Sequence, residues 1–166
     1  MKEDALEIEI ERKMNEMKLS VTKTFRTETA HRLSDNYPEE GCFFPHGHSF
    51  TYDITFALRK DQDLDDTGFV IELSKLNKVR TWLEANWDHA LLLNSRDSLK
   101  KTLEGSTFKT DSFIYLFQDR NPTIENMALE LASVIETIVI DSRCYLSKLV
   151  VRETAFQYCT LELKEN

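Results

Sequence analysis

Along residues 48–58, HSFTYDITFAL, apolar side chains fall on every second position. Phe50, Tyr52, Ile54, Phe56 and Leu58 share one face, and His48 has the same parity. A period of two predicts a strand with one face in the core. Residues 19–29, LSVTKTFRTET, are rich in β-formers and run straight into His31, which predicts a first strand. DDTG at 65–68 has turn chemistry. Leu73, Leu76, Val79, Trp82, Leu83 and Trp87 then recur at threes and fours, the spacing of an amphipathic helix ending near WDHALLLN. Residues 95–111 are polar and contain Gly105, a loop pattern, and SFIYLF at 112–117 is a short apolar run of strand character. Pro122 and Thr123 open a second helix with Thr123 as its N-cap; Ile124, Met127, Ala128, Leu131, Ile135 and Ile138 form its buried stripe. The end, KLVVRETAFQYCTLEL, predicts two strands joined by a tight connection. Strand, strand, helix, helix, strand, strand is an α+β order with antiparallel pairing.

In MKEDALEIEIERKMNEM the signals conflict. Leu6, Ile8 and Ile10 alternate like a strand, whereas Ile10, Met14 and Met17 follow a helical period. Residues 1–18 are therefore set apart as an N-terminal extension, and 19–166 as one domain, since 166 residues build one good core and not two. A net charge of −8, with the acids spread along the chain, argues against non-specific nucleic-acid binding but leaves room for a small anion met by a local basic cluster. Three cysteines without a CxxC pair point away from a disulfide framework and towards a reducing compartment. No apolar run approaches the roughly 18 residues of a spanning helix, and the acidic N-terminus is unlike a signal peptide. A cytoplasmic protein with no membrane partner is expected.

The chain has four histidines, and two of them stand one residue apart in GCFFPHGHSF. In a strand, His46 and His48 point to one face. His31 ends the preceding strand in TAHRL; if the strands pair, three imidazoles converge, a donor set suited to Zn²⁺ with a fourth position open. Local capping by each histidine is the plainer alternative, less economical for a trio than for one residue. Spacing alone leaves Cys42 either a fourth ligand, a small buried residue or a reactive thiol.

AHRL, CFFPHGHSF, GFVIEL, WDHALLLN, NPTIENMALEL and VVRET occur in the order of the motifs of the 6-pyruvoyl-tetrahydropterin synthase / 6-carboxy-tetrahydropterin synthase superfamily, which the chain resembles over about residues 19–163. The resemblance implies the tunnelling fold: a four-stranded antiparallel sheet with two helices on one face, assembled into oligomeric barrels with active sites between subunits. A homo-oligomer built on trimers, extending to a hexamer, is the implied state. It also implies zinc ligation by His31, His46 and His48, catalysis by Cys42 together with Asp88 and His89, and a pterin ring anchored by Glu153, with Thr123 in a segment near the pterin pocket.

These residue types suit that chemistry. Zinc would polarise the side-chain oxygens of a dihydropterin and acidify neighbouring C–H bonds. A thiol near a cation ionises more readily, so Cys42 suits a base if it does not ligate. Asp88 orients His89 as a second proton donor or acceptor, although His89 could instead cap a helix end. Glu153, a charge inside an apolar strand, needs partners, and a pterin's amino and ring N–H groups supply them.

Cys42 precedes His46 by four positions, a spacing that resembles the bacterial carboxy-tetrahydropterin synthases of queuosine and 7-deazaguanine biosynthesis. The implied reaction is carbon–carbon cleavage of 7,8-dihydroneopterin triphosphate to 6-carboxy-5,6,7,8-tetrahydropterin, a lyase reaction releasing acetaldehyde and triphosphate. Pyruvoyl-tetrahydropterin formation, or zinc-stabilised pterin binding without turnover, are the alternatives. Departures from the family pattern are Glu72 and Leu73 in place of its usual Asp-Phe, a longer 94–120 segment, and the N-terminal extension.

Overall fold

The computed structural model describes residues 19–33, 41–104 and 113–165; the expected extension at 1–18 lies outside them. Two long strands, β1 (Ser20–His31) and β2 (His46–Leu58), form an antiparallel ladder in which His31 stands opposite His46 and Thr29 opposite His48. The alternation along β2 is realised: Phe50, Tyr52 and Ile54 are fully buried, each side chain contributing about 1.5–3 kcal/mol. β5 (Cys144–Arg152) pairs antiparallel with β2, and β6 (Tyr158–Glu162) with β5. The β2–β5 register shifts at Thr55/Phe56. Beyond this irregularity Leu149 faces Ile54 and Val151 faces Tyr52 in the core. By the same parity Glu153, just past β5, emerges on that face.

The helices α1 (Asn77–Asn86) and α3 (Ile124–Ile138) cover this face, where Val79, Leu83, Met127, Leu131 and Ile135 join one hydrophobic cluster with the strands. Thr123 caps α3 as its position predicts, its Oγ1 accepting the Asn126 N–H at 3.4 Å. Trp87 is fully buried between Tyr52, Trp82, Tyr115 and Phe117.

The sheet differs from the four antiparallel strands expected. Among the described residues it has six, in the order β4-β3-β1-β2-β5-β6. β3 (Leu91–Asn94) and β4 (Ile114–Phe117) add on to β1 in parallel. The segment LLLN, expected at the end of a helix, is β3 because the chain turns sharply at His89, in the left-handed region at φ 58°. The expected loop at 95–111 begins with a helix, α2 (Ser98–Glu104). Its start is stabilised by Asp97 Oδ1, which accepts the Leu99 N–H at 2.8 Å, and its length by a Lys100–Glu104 pair. Glu72 and Leu73 lie in the exposed turns before α1, away from the histidines, with the Leu73 carbonyl accepting from Lys23. No helix among the described residues is long and apolar enough to cross a membrane.

Candidate metal centre and active site

The β1–β2 register puts His31 directly across from His46, and His48 two residues further along the same face. The Phe50 ring forms the floor, with centroids 5.4 Å from His31 and 5.5 Å from His48. Glu153 arrives from the end of β5. One donor atom from each of His31, His46, His48 and Glu153 lies within 4.8 Å of all the others.

Backbone carbonyls decide the protonation of two rings. His31 Nδ1 is 2.9 Å from Pro122 O, and His46 Nδ1 is 2.8 Å from Phe44 O. A carbonyl only accepts, so each Nδ1 carries the proton and each neutral ring presents a lone pair at Nε2. Those two Nε2 atoms face one another at 3.0 Å. Glu153 Oε1, also an acceptor, is 3.0 Å from His31 Nε2 and 3.4 Å from His48 Nε2. His48 Nε2 is itself buried without a hydrogen-bond partner. Converging lone pairs repel unless a cation or a proton lies among them. The donors therefore fit a divalent ion such as zinc, with second-shell carbonyls orienting the ligands.

Burial pushes the His48 imidazole below its ordinary pKa; Glu153 opposes this, and the other two histidines reinforce it. Held neutral, the ring suits ligation. Glu153 is held below the usual carboxylate range, first by its hydrogen bond with His31 and then by the positive potential of the three histidines, against the effect of burial.

Asp88 and His89 form the expected pair: His89 Nδ1 is 2.9 Å from Asp88 Oδ2. β1 locks the pair in place, since Glu28 N–H donates to Asp88 Oδ1 at 2.9 Å and Glu28 O accepts the His89 N–H at 2.7 Å. The His89 side chain is 78% exposed. A non-glycine residue at positive φ stores strain, a feature that clusters at functional sites. A groove of about 430 Å³ beside His89 is lined by Phe113 and by Glu28, Ala30, Gly47, Ser49 and Leu91, whose parity puts them on the sheet face opposite the histidine cluster.

Cys42 lies in a 3-10 turn, Gly41–Phe43, partly exposed and outside the group of converging donors. Its carbonyl accepts the Leu33 N–H at 2.8 Å. Thr123 does not reach the cluster by a hydrogen bond of its hydroxyl; it is its neighbour Pro122 that binds His31. Glu153, expected as the pterin anchor, stands among the donors. The carbonyls of Phe44 and Pro122 leave no trace in a sequence pattern, because every residue carries one. Cys144 is buried in the core, which pushes its thiol up to about 11.

The 6-carboxy-5,6,7,8-tetrahydropterin synthase of Rickettsia typhi is 30% identical to this chain over 148 residues, 87% of this chain and 99% of that protein. The Bacillus subtilis protein of the same name is 29% identical over 126 residues, 75% of this chain and 72% of that protein. Among solved structures, Caenorhabditis elegans 6-pyruvoyl tetrahydropterin synthase has a TM-score of 0.61 at 21% identity, over 89% of this chain and 97% of that one, a likeness of fold. The shared architecture is the tunnelling fold, here with a six-stranded sheet among the described residues. A family model described as 6-pyruvoyl tetrahydropterin synthase matches residues 20–164, from the first residue of β1 to just beyond β6. With every element of the fold inside that match, the chain belongs to the 6-pyruvoyl tetrahydropterin synthase family.

Proposed function

We propose that this protein is a zinc-dependent 6-carboxy-5,6,7,8-tetrahydropterin synthase, a carbon–carbon lyase acting on 7,8-dihydroneopterin triphosphate in queuosine and 7-deazaguanine biosynthesis. The observation that carries this reading is the convergence of three imidazoles, two of them with their outer nitrogens tied to backbone carbonyls. The names of the bacterial relatives and the four-residue step from Cys42 to His46 favour the carboxy product.

His31, His46 and His48 would hold the zinc, which when bound supplies Lewis acidity towards the oxygens of the pterin side chain. Glu153 accepts hydrogen bonds from the pterin's amino and ring N–H groups, and the segment around Thr123 borders the ring. Cys42 takes a proton on the turn side of the cluster. His89, oriented and charge-stabilised by Asp88, serves as the second proton donor or acceptor, on the opposite side of the substrate.

Incubation of the zinc-loaded protein with 7,8-dihydroneopterin triphosphate, followed by mass spectrometry, tests the proposal. The expected products are 6-carboxy-5,6,7,8-tetrahydropterin and acetaldehyde. A pyruvoyl product would assign the sister activity instead. Unchanged substrate would point to a pterin-binding protein without turnover.

A further inference from the structure

We propose that the buried Arg32–Asp97 ion pair positions Cys42, coupling the start of α2 to the turn that carries the thiol. This rests on the reading of Cys42 as the base. Three consecutive residues leaving β1 divide the work. His31 joins the donor cluster, Arg32 covers Phe43, and Leu33 N–H binds the Cys42 carbonyl at 2.8 Å. The Arg32 guanidinium carbon stands 4.6 Å from the centroid of the Phe43 ring, the residue next to Cys42. The turn Gly41–Phe43 has no buried residue of its own, so its placement depends on what grips it from outside.

Arg32 is held in turn by Asp97. Its Nε donates to Asp97 Oδ2 at 2.9 Å, and both residues are buried, at 7% and 2% exposure. A guanidinium this buried is costly without a facing carboxylate, and Asp97 supplies one. Asp97 Oδ1 simultaneously accepts the Leu99 N–H at the start of α2, so the carboxylate cannot rotate freely. The planar fork can stack on an aromatic ring and bind a carboxylate at once; a lysine ammonium cannot do both in this geometry.

The test uses the full-length, zinc-loaded protein with Cys159→Ser, which leaves Cys42 as the accessible described thiol, Cys144 being buried. Arg32→Lys, Asp97→Asn and Phe43→Leu are compared for zinc content, kcat, KM and the rate of Cys42 alkylation by iodoacetamide. The expected result is wild-type zinc and KM, a changed alkylation rate, and a kcat lower by about 10-fold to 10²-fold, the scale of a misplaced reacting group. Phe43→Leu leaves no buried charge unpaired, so it carries the test if Asp97→Asn does not fold. Wild-type kcat and alkylation rate in folded Arg32→Lys and Phe43→Leu would reduce the pair to a structural role and overturn the proposal. Turnover retained in Cys42→Ala would sink the base assignment alone, because the alkylation rate still reads whether the pair places the thiol.

Discussion

His31 and His46 present unprotonated nitrogens to each other at 3.0 Å, an arrangement that stores repulsion until a positive charge enters it. We therefore expect zinc at one ion per subunit in the wild type, and far less in His46→Ala and His48→Ala. Metal analysis showing near-wild-type zinc in both variants would remove the ligand assignment. Glu153 touches the same cluster but has a carboxylate to offer substrate as well. Glu153→Gln should keep its zinc and bind pterin about 10-fold to 10²-fold more weakly, the loss of one charged hydrogen bond. Zinc lost in step with affinity would make Glu153 a fourth ligand. Cys42 stands outside the donor group, so Cys42→Ala should retain zinc while turnover drops by about 10²–10⁴-fold, the usual contribution of a general base. A zinc-free Cys42→Ala protein would mark the thiol as a ligand.

At the scale of elements, the turn between α3 and β5 is tied to the segment before α1 by Asp141. Its carboxylate, 4% exposed, lies 2.9 Å from Lys75 Nζ and accepts the Arg143 N–H at 3.0 Å. Burial alone would raise its pKa; the Lys75 hydrogen bond, the Arg143 N–H and the two cations outweigh burial and hold it below the ordinary 3.8. A carboxylate depressed in the folded state stabilises above its unfolded pKa, and the contribution fades as pH falls through the folded value. Asp141→Asn should accordingly cost about 1.5–3 kcal/mol at pH 7 in urea unfolding, with the gap to wild type closing below pH 3.8. A gap that stays constant from pH 7 to pH 3 would mean the loss is one of packing rather than charge.

Across the whole molecule, three strand edges stand open among the described residues. β4 and β6 are the terminal strands of the sheet, and β1 pairs with β3 only at Ala30 and His31. Beyond the contacts of Glu28, residues 20–27 of β1 present one edge without a neighbouring strand. Unpaired edges of this length invite strand addition from another copy. We expect a homo-oligomer, and light scattering at micromolar concentration should give a multiple of the 19.4 kDa chain mass. A strictly monomeric mass would count against assembly through these edges.

Periodicity and local chemistry made much of this protein legible from the chain. The alternation of β2 decides which side chains enter the core, and the same parity rule puts His46 and His48 on one face. Thr123 announces α3 because a cap acts within one turn of helix. Short elements carried too few positions for a period to show. LLLN became a strand only through pairing with β1, and α2 was hidden in a polar stretch whose capping aspartate also serves a distant arginine. The site divided in the same way. Residue type and spacing named the three imidazoles. Only the folded chain brought Pro122 O and Phe44 O to the outer nitrogens of His31 and His46, set Glu153 among the three rings and laid Arg32 over Phe43, since such contacts join residues far apart in sequence or use backbone atoms that every residue shares.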